Sequence, residues 1–143
     1  MRGFQNIVVP VDFSEDSPVV YEKALSVLAE GGRLTLLHVV EFMPAVMEGT
    51  LGIYPHRKDI EKIKELSLER LGEIAQNHAD LDIQALVREG KPATAILEVI
   101  GELSPDLVVM GTHGRSKLDH LLIGSVTERV IRKAPCAVLT VRT

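Results

Sequence analysis

A single cysteine, Cys136, among 143 residues leaves no partner for an intrachain disulfide and too few thiols for a cysteine-rich zinc site. Such sparing use of cysteine fits a reducing cytosol. Tryptophan is missing and aromatic residues make up 3% of the chain, too few for the stacking platforms that hold single-stranded nucleic acid. The formal charge of -4 argues against a surface that coats nucleic acid, so any phosphate-binding patch has to be local. No apolar run approaches the roughly 20 residues that span a bilayer. The run Ile7-Val8-Val9 is interrupted at Pro10 and Asp12, which is too short for a signal-peptide core. These absences describe a soluble cytoplasmic protein without membrane or nucleic-acid contacts, and the length suits one domain, residues 1–143, burying roughly two-thirds of the unfolded surface.

Several chemical signatures are also absent. There is no G-x-x-x-x-G-K-[ST], no G-x-G-x-x-G after the first strand and no G-x-S-x-G, so a P-loop enzyme, a dinucleotide dehydrogenase and the usual hydrolase elbow find no support. His38, His56, His78, His113 and His120 show no metal-ligand spacing and are read as non-ligands. Of the five, His113 is the one placed to touch a bound group.

What is present is a regular alternation of short β-branched runs with longer segments of helical period, the signature of stacked βαβ units and a parallel sheet. Strands are expected at Ile7–Val9, Leu34–Val40, Ile83–Val87, Leu107–Met110 and Cys136–Val141. A first helix starting near Ser14 or Ser17 carries Pro18 in its first turn and the stripe Val20, Ala24, Val27 and Leu28, with Gly31-Gly32 ending it. A second helix puts Ile60, Ile63, Leu71, Ile74 and Ala75 on one face, after a segment from Met43 to His56 that reads as a mobile loop. Ala93, Ile96, Leu97 and Ile100 mark a third helix, and Val126, Val130 and Ile131 a short last one. The run Leu107-Val108-Val109-Met110 is continuously apolar, as in a strand buried on both faces. The expected fold is therefore α/β, a three-layer α/β/α arrangement around a five-stranded parallel sheet of order 3-2-1-4-5.

In that order the winding reverses between strands one and four, and open α/β sheets bind ligands at such a switch point, outside the carboxyl ends of the strands. The two ends are Pro10-Val11-Asp12-Phe13-Ser14 and Met110-Gly111-Thr112-His113-Gly114. Gly111 and Gly114 can adopt positive φ and let backbone approach a ligand, while Arg115 and Lys117 add positive charge. Gly124 and Ser125 precede a helix whose unsatisfied N–H groups favour an anion. Each feature has a plainer reading: Ser125-Val126-Thr127-Glu128 is also a capping box, and Arg115 and Lys117 also read as solvated charges. Asp12 suits a ribose hydroxyl or a magnesium ion, and equally a cap, by itself or through Ser14, on the first helix. Cys136 reads as a small core residue of the last strand.

The spacing Gly111-x2-Gly114-x9-Gly124-Ser125 resembles the G-2x-G-9x-G-(S/T) motif of the ATP-binding branch of the universal stress proteins. The opening IVVPVDFSE, the strand end LHVV, the approach PDLVVMGTHG and the closing GSVTERVIRKAPCAVLTVR extend the resemblance over nearly the whole chain. It implies an adenine-nucleotide-binding domain of the adenine nucleotide alpha hydrolase-like, Rossmann-like type, with ATP as cofactor and magnesium or manganese beside it. By position, Pro10, Val11 and Asp12 would border adenine and ribose, with Asp12 toward the metal, and Val39 or Val40 would meet the base through backbone. Met110, Gly111, His113, Gly114, Arg115, Gly124, Ser125, Val126 and Thr127 would surround ribose and phosphates. The resemblance also implies a homodimer, paired through the apolar strand from Cys136 to Val141. No general base is evident, which fits a nucleotide-responsive regulator in a stress response. A slow magnesium-dependent ATPase or adenylyl-transferring enzyme, and a nucleotide-independent dimeric scaffold, are the alternatives.

Overall fold

The apolar runs separate onto two faces of one sheet. A computed structural model describes residues 2–41, 57–113 and 123–143. Its strands β1 (Phe4–Pro10), β2 (Leu28–Val40), β3 (Asp82–Glu89), β4 (Leu107–Gly111) and β5 (Ala137–Val141) are all parallel and lie in the order β3-β2-β1-β4-β5. Among the described residues the helices are α1 (Ser17–Ser26), α2 (Arg57–Gln76), α3 (Pro92–Leu103) and α4 (Ser125–Lys133). Side chains alternate along each strand, so neighbours enter different cores. Ile7, Val9, Leu34, Leu36, Leu107 and Val109 pack with Val20 and Ala24 of α1 and Leu71 of α2. Val8, Leu37, Val108 and Met110 pack with Ile96, Val99 and Ile100 of α3 and Val130 of α4. The continuously apolar β4 is thus buried on both faces, in a three-layer α/β/α fold of the expected order.

Several local expectations change. α1 ends at Ser26 with Val27 as its C-cap, and Leu28 already belongs to β2. Gly31-Gly32 therefore sits inside a strand, not at a helix end. Phe4 pairs with Leu28 but Asn6 with Arg33, so β2 carries extra residues against β1 there. Gly31 takes φ +73° in this bulge, and a Cβ on Gly32 would come within 3.1 Å of the Gln5 carbonyl oxygen of β1. A bulge and a helix stop both call for glycine, and only the pairing tells them apart. Ile131 of α4 faces outward, 41% exposed, because nine residues give the helix one buried line, through Thr127 and Val130. Cys136 precedes β5 and is half-buried against the second core, where burial first, and the Asp106 carboxylate second, push its thiol pKa up.

Candidate functional site

β1 and β4 register at Ile7 with Leu107 and Val8 with Val108. Both strands run on, to Pro10 and Gly111, each still paired with its outer neighbour, β2 at Pro10–Leu37 and β5 at Gly111–Val141. The two central strands therefore part at their carboxyl ends, and the parting opens a crevice at the switch point.

The β1 side of the crevice is a braced, strained turn. The Val11 N–H donates to the Leu37 carbonyl at 2.7 Å, which carries β1 one residue further along β2. The Val11 carbonyl lies 2.6 Å from Nδ1 of buried His38. A carbonyl only accepts, so Nδ1 carries the proton. Oδ1 of Asp12 accepts from the Ser14 N–H at 2.9 Å and from the Ser17 hydroxyl at 3.0 Å, an Asx turn leading into α1. Neither Asp12 nor Ser14 is the N-cap. That position falls to Asp16, whose side chain makes no capping bond. Between these braces Phe13 sits at φ 60°, a left-handed conformation that costs a bulky residue about 1–2 kcal/mol. Its ring is held by His38, 4.4 Å between centroids, and by the Arg70 guanidinium of α2 at 4.0 Å.

The β4 side is a clasp. The Thr112 N–H donates to the Val141 carbonyl at 3.1 Å, and the Thr112 carbonyl accepts from the Gly124 N–H at 2.7 Å. The buried Thr127 hydroxyl donates to the Gly111 carbonyl at 2.8 Å and ties the first turn of α4 to the end of β4. Oγ1 of Thr112 and Nδ1 of His113 are 3.1 Å apart. Gly124, not Ser125, is the N-cap of α4, and no side chain caps it. The capping box is unmade at both ends: Ser125 is the first helical residue, and the Glu128 carboxylate accepts from Arg132 at 2.8 Å. Among the described residues no side chain therefore caps the positive end of α4.

The fold brings together Pro10, Val11 and Asp12 on one wall and Gly111, His113, Gly124, Ser125, Val126 and Thr127 on the other, with Val39 and Val40 at the carboxyl end of neighbouring β2. Gly114 and Arg115, with Lys117, lie outside the described residues, as does the segment from Met43 to His56. The Met110 side chain is committed to the second core. The Val40 carbonyl accepts from the Gly90 N–H at 3.0 Å. Gly111 does not use the positive φ expected of it, and a Cβ there would meet Val20 Cγ2 at 3.4 Å, an ordinary contact. Among the described residues no three acidic, histidine or cysteine side chains converge on a metal position.

Sequence reasoning gave no role to Phe13, His38 and Thr112, although Phe13 and Thr112 lie in the two strand ends it singled out. The Asp12-x-Ser14 spacing is a readable Asx-turn signal, and His38 stands out as a polar residue in an apolar strand. Nothing in the sequence marks Phe13, because neither glycine nor asparagine announces the left-handed position.

The universal stress protein family model matches residues 3–142, and the chain belongs to that family. A Staphylococcus aureus protein, provisionally named a universal stress protein, is 29% identical over 148 residues that take in 100% of this chain and 87% of its own. The universal stress protein UspA from Lactobacillus plantarum shares the fold at TM-score 0.78 and 21% identity, over 99% of this chain and 100% of its own. A universal stress protein solved in complex with cAMP is 26% identical at TM-score 0.66, over 97% of both chains.

Proposed function

We propose that this chain, residues 1–143, works as one cytoplasmic domain that binds an adenine nucleotide, ATP above all, in the crevice between β1 and β4, and acts as a nucleotide-responsive regulator of a stress response. The observation that carries the reading is the clasp from Gly124 to Thr112, which sets the uncapped positive end of α4 beside the crevice. The 26% identical relative in complex with cAMP supports an adenine ring and a phosphate as the ligand chemistry. Phosphates lie against the α4 N–H groups and the glycine motif, and ribose lies toward Asp12 and the main chain of Met110 and Gly111. Asp12 already accepts two hydrogen bonds through Oδ1, so a magnesium or manganese ion there draws its remaining ligands from phosphate oxygens and water. β5 is the last strand of the sheet among the described residues, with Val138 and Leu139 half-buried, and that position favours a second copy as partner in a homodimer.

The full chain is tested by denaturing the fresh protein, identifying any released small molecule by mass spectrometry, and melting the protein with and without ATP and magnesium. ATP at a hundredfold over its Kd adds about 2.7 kcal/mol. For a domain of this size that raises Tm by roughly 6–10 °C. Released ADP from protein loaded with ATP identifies slow hydrolysis. An empty protein whose Tm ignores ATP overturns the reading in favour of a nucleotide-independent scaffold.

A further inference from the structure

Phe13 follows Asp12 directly, so whatever fixes its left-handed backbone also fixes how Val11 and Asp12 leave the end of β1. Its ring packs on the first core and meets two groups, the His38 ring and the Arg70 guanidinium. His38 acts twice, since its Nδ1–H also donates to the Val11 carbonyl. Arg70 does not share in that second hold. On α2, Arg57, Lys62 and Lys64 each pair with a carboxylate. Arg70 makes no ion pair among the described residues, with Glu69 beside it and Glu73 three residues on, and lies over the Phe13 ring instead. An exposed arginine that forgoes nearby carboxylates for one aromatic face is placed for that contact.

We infer that Arg70 is a positioning residue for nucleotide binding, which holds the strained turn of Val11, Asp12 and Phe13 through the Phe13 ring. The inference rests on the nucleotide reading above. A left-handed bulky residue persists only where its surroundings over-determine it, and a cation on the ring is worth the same order as the strain it opposes. Without the guanidinium the turn gains relaxed conformers that carry the Asp12 carboxylate away from the ribose side of the crevice. Apparent Kd then rises by the inverse of the competent fraction. By linkage, bound nucleotide tightens the same contact, so α2 and the crevice sense one another through a single ring.

The full chain carries the test in two parts. In isotope-labelled protein without nucleotide, Arg70→Ala is expected to move the Cα chemical shifts of Asp12 and Phe13, which report backbone conformation. Lys62→Ala on the same helix, away from the ring, is expected to leave them in place. Isothermal titration with ATP and magnesium is expected to show Kd raised about threefold by Arg70→Ala, as the loss of one exposed cation on a ring would give. That loss should vanish when Arg70→Ala is made in Phe13→Leu, which keeps an apolar side chain and removes the ring. Arg70 is exposed and Phe13 half-buried, so both positions tolerate these changes without unfolding. Unmoved Cα shifts, wild-type affinity in Arg70→Ala, or an equal loss with and without the Phe13 ring would each overturn the role. A wild type that ignores ATP overturns the nucleotide reading instead, and the Cα shifts alone then decide whether Arg70 sets the turn.

Discussion

The same pair of strands, β1 and β4, is laced at one end and parted at the other. At the amino end both carboxylate oxygens of Asp106 accept main-chain N–H groups of β1, from Gln5 and Asn6, at 2.9 Å each. The Asp106 N–H returns a bond to the Asn6 carbonyl at 2.9 Å, and the Asn6 side-chain amide donates to the Leu103 carbonyl at 2.9 Å. At the carboxyl end no such staple joins β1 directly to β4 among the described residues, and the backbone of Phe13 is held in a conformation it disfavours. The contrast teaches that the crevice arises where cross-strand bonds are withheld. Left-handed non-glycine backbone occurs at both ends, at Phe13 beside the crevice and at Ser104, φ 46°, where α3 ends beside the laced side.

The sharpest way to break this contrast is to unlace the closed end. Asp106→Ala removes the acceptor of two charge-assisted bonds and is expected to cost roughly 2 kcal/mol, because both are solvent-exposed. Thermal melting would show a Tm drop of roughly 6 °C. If the closed end serves only stability, the Tm gain from ATP survives the substitution. Should that gain disappear with the fold intact, the two ends are coupled and the division of labour is wrong.

A smaller effect is expected at the open end. Thr127→Val keeps the shape but removes the hydroxyl that donates to the Gly111 carbonyl, costing about 1 kcal/mol. Here function should suffer more than stability: α4 loses its tie to β4, and isothermal titration should show nucleotide affinity falling further than the melting curve implies. An unchanged affinity would mean that the clasp from Gly124 to Thr112 positions α4 unaided.

The smallest effect lies again at the amino end, on the outer strands. The Asp82 carboxyl is held below its ordinary 3.8 by the Gln84 side-chain amide first and by Arg33 second. A depressed folded pKa stabilises the native state fully above 3.8, and that contribution is lost as pH falls through the lower, folded value. Urea midpoints measured from pH 5 down to pH 2 should therefore fall slightly more steeply for the wild type than for Asp82→Asn. Parallel curves would show that this exposed link between β2 and β3 does nothing for stability.

Much of the fold was legible because its signals are local and redundant. The apolar run Leu107 to Met110 announced a strand with two buried faces, and the stripe through Ala93, Ile96 and Ile100 announced the helix that covers one of them. Given right-handed crossovers, the switch point followed, and the crevice with it. What stayed hidden depends on which atoms meet across the chain. Gly31-Gly32 looked like a helix stop because a bulge is defined by its partner strand. Ser125 looked like a cap because the pattern is right by one residue, but the Gly124 N–H is drawn to Thr112 and shifts the helix start. The unusual backbone of Phe13 leaves no compositional trace, and only the grip of His38 and Arg70 on its ring accounts for it.

The bond from the Gly124 N–H to the Thr112 carbonyl pins the base of the connection between β4 and α4. With both ends fixed, lengthening the chain between them is cheap: closure entropy grows only logarithmically, about 0.6 kcal/mol for each doubling. The clasp thus uncouples the length of the chain between β4 and α4 from the seating of α4 on the sheet.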